Sequence, residues 1–193
     1  MNCKQVSAIL LAAGQSARLG KPKQLIPWQG TTLLNFTIKT ILESGIKDIV
    51  LVLGAHTEEI KKTLNCSTLR IVNNISWTSG KASSIRAGLN AISPATEGIL
   101  IFLCDQPYLS VELIMSILHA GETSTADIIV PAVGERLGNP VLFKKRVFPN
   151  FCTLQGEEGG KKLFPRFPLE RVNWRDVRIS QDIDTQEDVQ TLV

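Results

Sequence analysis

Val6-Ser-Ala-Ile-Leu-Leu-Ala12 runs without a break into Ala13-Gly-Gln-Ser-Ala-Arg-Leu-Gly-Lys-Pro-Lys23. The first segment is short, continuous and apolar, as a strand covered on both faces must be. The second is small, polar and cationic, and Pro22 cannot continue a hydrogen-bonded element. Four more apolar runs of the first kind follow: Asp48–Leu53, Leu69–Val72, Gly98–Leu103 and Asp127–Val130. Helical patterns lie between them. Thr32–Leu42 sets Leu33, Leu34, Ile38, Ile41 and Leu42 on one stripe. Ser83–Ile92 forms a second. Ser110–Leu118 sets Leu113, Ile114, Ile117 and Leu118 on a third, with Ser110 as its N-cap. Thr185-Gln-Glu-Asp188 approaches a capping box and opens a final helix. Strand–helix alternation of this kind predicts an α/β fold: a mostly parallel sheet with helices on both faces, three layers in one domain over residues 1–193.

Residues 131–180 break the rhythm. Pro131, Pro140, Pro149, Pro165, Pro168 and the Gly159–Gly160 pair mark an irregular insertion, with short strands near Pro140–Phe143 and Leu169–Asn173.

Composition narrows the function classes. The chain has 193 residues with 44% hydrophobic and 20% charged side chains, which excludes wholesale disorder. No apolar stretch reaches membrane-span length, and the first ten residues lack a signal-peptide pattern, so a cytoplasmic protein is expected. A net charge of +3 is too small to imply nucleic-acid binding. Cys3, Cys66, Cys104 and Cys152 are scattered without metal-ligand spacing, and reduced thiols are the simple reading. Residues 1–100 carry an excess of Lys and Arg, and residues 101–193 an excess of Asp and Glu. An anion held by one half and a metal by the other would account for this; so would chance surface variation.

In open α/β sheets ligands bind where the strands end. The first such loop offers close backbone approach at Ala12, Ala13 and Gly14, a hydroxyl at Ser16, and cations at Arg18, Lys21 and Lys23. Backbone N–H groups with Arg and Lys are what a polyphosphate requires. A P-loop is excluded, because five residues separate Gly14 from Gly20 and Pro22 follows Lys21. The dinucleotide fingerprint G-x-G-x-x-G is absent as well.

The fourth apolar run ends in Phe102-Leu-Cys-Asp-Gln-Pro107. A carboxylate there faces the ligand crevice, so Asp105 is a natural Mg²⁺ ligand; the alternative is that it caps a turn. A second carboxylate must come from elsewhere, and the tail offers Asp182 and Asp184. Asp184 could instead serve only the helix N-terminus. No Ser/His/Asp or Cys/His constellation is present, and His56 and His119 read as structural residues away from the motifs.

Leu11-Ala-Ala-Gly-x-Ser-x-Arg-x-Gly-x-x-Lys23, followed by Gln24-Leu25-x-Pro27, resembles the loop of the nucleotidyltransferases related to molybdenum cofactor guanylyl- and cytidylyltransferases. The resemblance continues along nearly the whole chain and is to the cytidylyltransferase branch, including the purine-catabolism proteins that serve xanthine dehydrogenase. It implies a Rossmann-like nucleotidyltransferase fold and transfer of CMP from CTP to a molybdopterin-type cofactor with Mg²⁺, ahead of a molybdoenzyme such as a xanthine dehydrogenase. It also implies that Leu11 to Gly14 and Ser16 line the nucleotide, that Arg18 and Lys23 hold the phosphates, and that Asp105 and Asp184 hold the metal, with Asp182 the alternative. Asn73-Asn-Ile-Ser-Trp77-Thr-Ser-Gly80-Lys-Ala-Ser-Ser84 resembles the family segment along the nucleotide, with Gly80, Ser83 and Ser84 able to approach base or phosphate. Trp77 either packs on the sheet or touches the ligand. Gly138-Asn139-Pro140 departs from the family's G-H-P, and Glu157 and Lys161 or Lys162 replace a family Asp and Arg. These loops would face the acceptor.

Overall fold

A computed structural model describes residues 5–191; Cys3 and the last two residues of the expected C-terminal helix lie outside them. β1 (Val6–Ala12) is buried along its whole length. The two-residue strands β2 (Pro27–Trp28) and β3 (Thr31–Thr32) form a small hairpin that leads into α1 (Leu33–Glu43). Thr32 caps α1, its side chain accepting from the Asn35 N–H. Then follow β4 (Asp48–Leu53), the short α2 (Thr57–Lys61), β5 (Arg70–Asn73) and α3 (Lys81–Leu89). β6 (Gly98–Leu103) and α4 (Val111–Thr123) complete the alternation. β7 (Ile128–Val133), β8 (Arg136–Leu137), β9 (Val141–Lys144), β10 (Leu169–Asn173) and α5 (Gln186–Gln190) close the chain.

The sheet order is β10-β7-β9-β6-β1-β4-β5, with β8 on β7. β6, β1, β4 and β5 run parallel, and only β8 and β9 pair antiparallel with their neighbours. The predicted α/β sandwich is therefore observed. Side-chain alternation along β1 divides the core. Ala8, Leu10 and Ala12 face α1 and α4, packing with Ile38, Ile41, Ile114 and Ile117. Ile9 and Leu11 face α3 and the irregular segment, packing with Ile85, Phe151 and Leu163. No helix among the described residues is long and apolar enough to cross a membrane.

Several boundaries differ from the sequence reading. The expected strand Leu69–Val72 shifts by one residue to Arg70–Asn73, and α3 begins two residues before Ser83. The strand expected to stop before Pro131 continues through it to Val133. Pro131 has no N–H, but its carbonyl accepts from Gly138 N at 2.8 Å. The irregular 131–180 region also enters the main sheet: β9 sits between β6 and β7, and β10 forms one edge. Its remainder is carried by 3₁₀ turns at Lys145–Thr153, Gly160–Arg166 and Val177–Ser180.

Ser110 Oγ accepts from Leu113 N at 3.2 Å at the start of α4. Ser110→Ala removes one partner of the orphan N–H groups and is expected to cost about 1 kcal/mol. For a chain of this length that lowers Tm by about 2–4 °C in a calorimetric scan.

Candidate active site

The site lies where the topology reverses. From β1 the chain proceeds to β4 and β5 on one side, then returns to β6 on the other. The crevice outside the carboxyl ends of β1 and β6 is the switch point of the sheet. In register, Leu11 lies opposite both Val52 and Leu103, so Ala13, Gly54 and Cys104 emerge at one edge. A cleft of about 460 Å³ opens there.

The glycine-rich loop is folded by its own polar groups. Ser16 takes a left-handed conformation (φ 56°), its carbonyl accepts from Leu19 and Gly20, and its Oγ accepts from Lys23 N at 3.1 Å. Gln24, buried, donates through Nε2 to Ala12 O at 2.8 Å and to Gly14 O at 3.3 Å. His56, expected to stand apart from the motifs, lies beside this loop with Nε2 3.3 Å from Gln15 O. From the other end of the chain, Gln186 Nε2 donates to Leu19 O at 2.6 Å, and Ile183 packs with Leu19, Ile26 and Leu33. The tail is thus fastened onto the loop.

These attachments bring two carboxylates onto one ammonium group. Lys23 Nζ lies 2.8 Å from Asp105 Oδ2 and 3.1 Å from Asp184 Oδ1, with only 15% of its side chain exposed. Burial alone would lower the Lys23 pKa, but the Asp105 charge and the bonds to both carboxylates outweigh it and hold it above the ordinary lysine value. Asp184 is held below the usual carboxylate value, because its bonds to Lys23 and the charges of Lys23 and Arg18 overcome burial. Asp182, which accepts from Gln106 Nε2 at 2.9 Å, is pushed up by burial and by the neighbouring Asp105 and Asp184 charges. Burial, reinforced by the Asp105 charge, raises the Cys104 thiol to about 12, so it is no nucleophile at neutral pH. Arg18 reaches Asp184 at 2.9 Å from a side chain that is 72% exposed; such a contact contributes little stability and leaves the guanidinium free to meet a ligand.

The opposite wall is the segment before α3. Asn74 Nδ2 donates to Ser83 Oγ at 2.8 Å and to Ser84 Oγ at 3.0 Å, while Asn74 Oδ1 accepts from Ser76 N. Gly80, at φ +99°, lies so close to Gly156 that a Cβ would fall 2.3 Å from its carbonyl atoms. Trp77 both packs against Gly54 and lines the cleft.

Of the residues singled out in the sequence, Leu11, Ala12, Ala13, Gly14, Arg18, Lys23, Gly80, Ser84, Asp105 and Asp184 line one cleft. Ser16 and Ser83 do not. Ser16 shapes the loop, and the Ser83 hydroxyl is engaged by Asn74, Ser76 O and Gly80 O. Sequence reasoning quoted the segments that hold Gln24, Gln106 and Gln186 but assigned these three side chains no role. Uncharged amides carry no local signal, and their partners lie far along the chain.

The sequence pattern of the MobA-like NTP transferase domain matches residues 8–172. The chain belongs to the MobA-like NTP transferase family. It is a nucleotidyltransferase by family, and the glycine-rich loop and Asp105 lie within the matched region, whereas Asp182 and Asp184 follow it. This MobA-like chain is 33% identical to the nicotine blue oxidoreductase of Paenarthrobacter nicotinovorans, covering 97% of this chain and 96% of that one. It is 27% identical to the molybdenum cofactor cytidylyltransferase of Escherichia coli K12, covering 95% and 93%. A probable molybdenum cofactor guanylyltransferase of Bacillus mycoides is 28% identical, covering 79% and 74%. The crystal structure of Rv0371c from Mycobacterium tuberculosis superposes with a TM-score of 0.88 at 28% identity, covering 99% and 98%. A structure of that protein in complex with manganese gives 0.83 at 26% identity, covering 98% of each chain.

Proposed function

We propose that this MobA-like transferase moves CMP from CTP onto the phosphate of a molybdopterin-type acceptor with a divalent metal, Mg²⁺ in the cell, and releases pyrophosphate. The observation that carries the reading is Lys23 bridged between Asp105 and Asp184 at the mouth of the glycine-rich loop. The cytidine preference rests on the Ala12-Ala13-Gly14 form of the loop and on the tail, which resemble the cytidylyltransferase branch. The working compartment is the cytoplasm, and the product passes to a molybdoenzyme of the xanthine dehydrogenase kind.

The residues fit a divalent ion. Asp105 Oδ1 is buried with no hydrogen-bond partner. Asp105 and Asp184 present hard oxygen donors and share one ammonium. Among the described residues no group of three or more His, Cys, Asp and Glu side chains forms a ready metal cage. That agrees with an ion held by two carboxylates and completed by substrate phosphates. When bound, the ion neutralises charge on the triphosphate and polarises the α-phosphorus. Asp105 and Asp184 would hold it, with Asp182, which lines the same cleft, as the alternative to Asp184. The backbone of Ala12 to Gly14 cradles the nucleotide, and Arg18 and Lys23 take the charge that grows on the departing pyrophosphate. An acceptor phosphate oxygen forms the new bond to the α-phosphorus as the bond to the bridging β-phosphate oxygen breaks.

A second lobe of about 240 Å³ continues the cleft past Leu11, Lys81, Leu103 and Asp182. Its floor is apolar, formed by Ile85, Ile101, Val141 and Phe143. Asn139, Lys81 and Lys161 stand at its rim. Lys161 Nζ donates to Leu137 O at 2.9 Å, and burial, helped by the Lys81 and Arg136 charges, lowers its pKa. A flat ring with an anionic arm suits such a lobe.

The test is pyrophosphate release from CTP or GTP with molybdopterin cofactor and Mg²⁺ or Mn²⁺. Release with CTP, at least about tenfold faster than with GTP, is expected; a tenfold preference corresponds to about 1.4 kcal/mol of transition-state discrimination. Release with GTP alone corrects the nucleotide. Bleaching of nicotine blue by a reduced nicotinamide dinucleotide, with no pyrophosphate in any mixture, contradicts the reading.

A further inference from the structure

We propose that Lys23 is a displaceable internal counter-ion that occupies the cation position of the Asp105–Asp184 pair, so that metal enters this site only when a triphosphate draws the ammonium away. The inference rests on the proposed nucleotide and metal site and adds an order of events to it. One Nζ meets both carboxylates, at 2.8 and 3.1 Å, from a side chain that is largely enclosed. Lys23 is anchored at its base by its own N–H to Ser16 Oγ, within the loop that lines the cleft. The ammonium therefore has two sets of partners within reach of one fixed backbone position: the carboxylates it now holds, and any anion resting on the loop.

A divalent ion arriving alone meets an obstacle. Three of the four carboxylate oxygens are engaged, Asp105 Oδ2 and Asp184 Oδ1 by Lys23 and Asp184 Oδ2 by Arg18 at 2.9 Å. Two positive charges, one enclosed and one exposed, stand within ion-pair distance of the ligands, and a like charge there opposes the binding of a cation. A triphosphate carries enough negative charge to engage both cations and brings its own oxygens to the metal. Asp105 Oδ1, which lacks a partner, keeps one acceptor ready meanwhile. Holding the carboxylates together in this way also avoids the mutual repulsion of a vacant acidic pair.

The test uses Mn²⁺ alone, without nucleotide, and follows the free ion by electron paramagnetic resonance. Wild-type protein is expected to bind it weakly. Lys23→Met and Lys23→Gln, which remove the charge, are expected to bind it roughly tenfold to a hundredfold more tightly. Lys23→Arg, which keeps the charge, is expected to remain as weak as wild type. Adding Asp105→Asn to Lys23→Met is expected to abolish the gain. Two neutral variants guard against one that fails to fold, and thermal unfolding checks both. Unchanged or weaker Mn²⁺ binding by the folded neutral variants overturns the proposal, as does tight binding by Lys23→Arg. Calorimetry of Mn²⁺-CTP on wild-type protein separates the two levels: binding there with no gain in the neutral variants sinks the counter-ion alone, whereas no binding there sinks the site reading with it.

Discussion

Asp105→Asn is expected to leave the protein folded and to lower the rate of pyrophosphate release by about a thousandfold. The side chain keeps its size, and the main chain keeps its tie, because Asp105 O accepts from Ile183 N at 2.9 Å whichever side chain is present. Lys23 retains Asp184 at 3.1 Å, so no buried charge is left unpaired. What disappears is the negative charge at the end of β6, proposed as an anchor for the divalent ion. Losing one preorganised electrostatic group of this kind costs about 10²–10³ in turnover, and a metal ligand stands at the upper end. Steady-state pyrophosphate release measures the loss, and far-UV circular dichroism checks the fold. A folded variant that keeps more than a tenth of wild-type turnover removes Asp105 from the chemistry.

Gly80→Ala is expected to be the most disruptive single-atom change in the cleft wall. Its φ of +99° with ψ of 177° belongs to a region open essentially only to glycine. A Cβ would also lie 2.3 Å from Gly156 C and O and 2.8 Å from Glu157 N, all backbone atoms that no rotamer change can clear. The same junction carries the bond from Ala82 N to Gly156 O at 3.0 Å. Strain of about 1–3 kcal/mol and overpacking of a similar size together make a loss of roughly 2–6 kcal/mol in denaturant unfolding. Nucleotide affinity should fall with it, since Gly80, Lys81 and Ser84 line the cleft. A stability change under about 0.5 kcal/mol, the scale of an ordinary surface substitution, would show that the 156–157 segment does not pack here.

The strands buried on both faces were legible because each is an unbroken apolar run: Val6–Ala12, Asp48–Leu53 and Gly98–Leu103 keep the boundaries that the sequence predicts, as does the partly exposed edge strand Leu169–Asn173. Capping chemistry at Ser110 and Thr185 was equally local, and both caps form. Sheet order was not legible, since the place of β9 between β6 and β7 is fixed by long-range pairing. The β2–β3 hairpin escaped notice because two-residue strands carry no periodicity; its turn at Gln29 and Gly30 has φ of 49° and 76°, and only Gly30 advertises it. At the site, the composition of the loop and the strand-end position of Asp105 marked the crevice. The meeting of Lys23 with Asp105 and Asp184 was invisible, because it joins three segments up to 161 residues apart. The hydroxyls of Ser16 and Ser83 are engaged within the fold. Their types suit a ligand, but the backbone around them uses that capacity first.

The loop after β1 and the carboxylates beyond β6 are proposed to hold a metal-bound triphosphate between them. Calorimetric titration of the protein with a non-hydrolysable CTP analogue, in Mg²⁺ and again in excess chelator, measures it directly. Saturable one-to-one binding that weakens at least about tenfold on chelation, a change of about 1.4 kcal/mol, is the predicted result. Folded protein that binds no nucleoside triphosphate in the presence of Mg²⁺ or Mn²⁺ would contradict it.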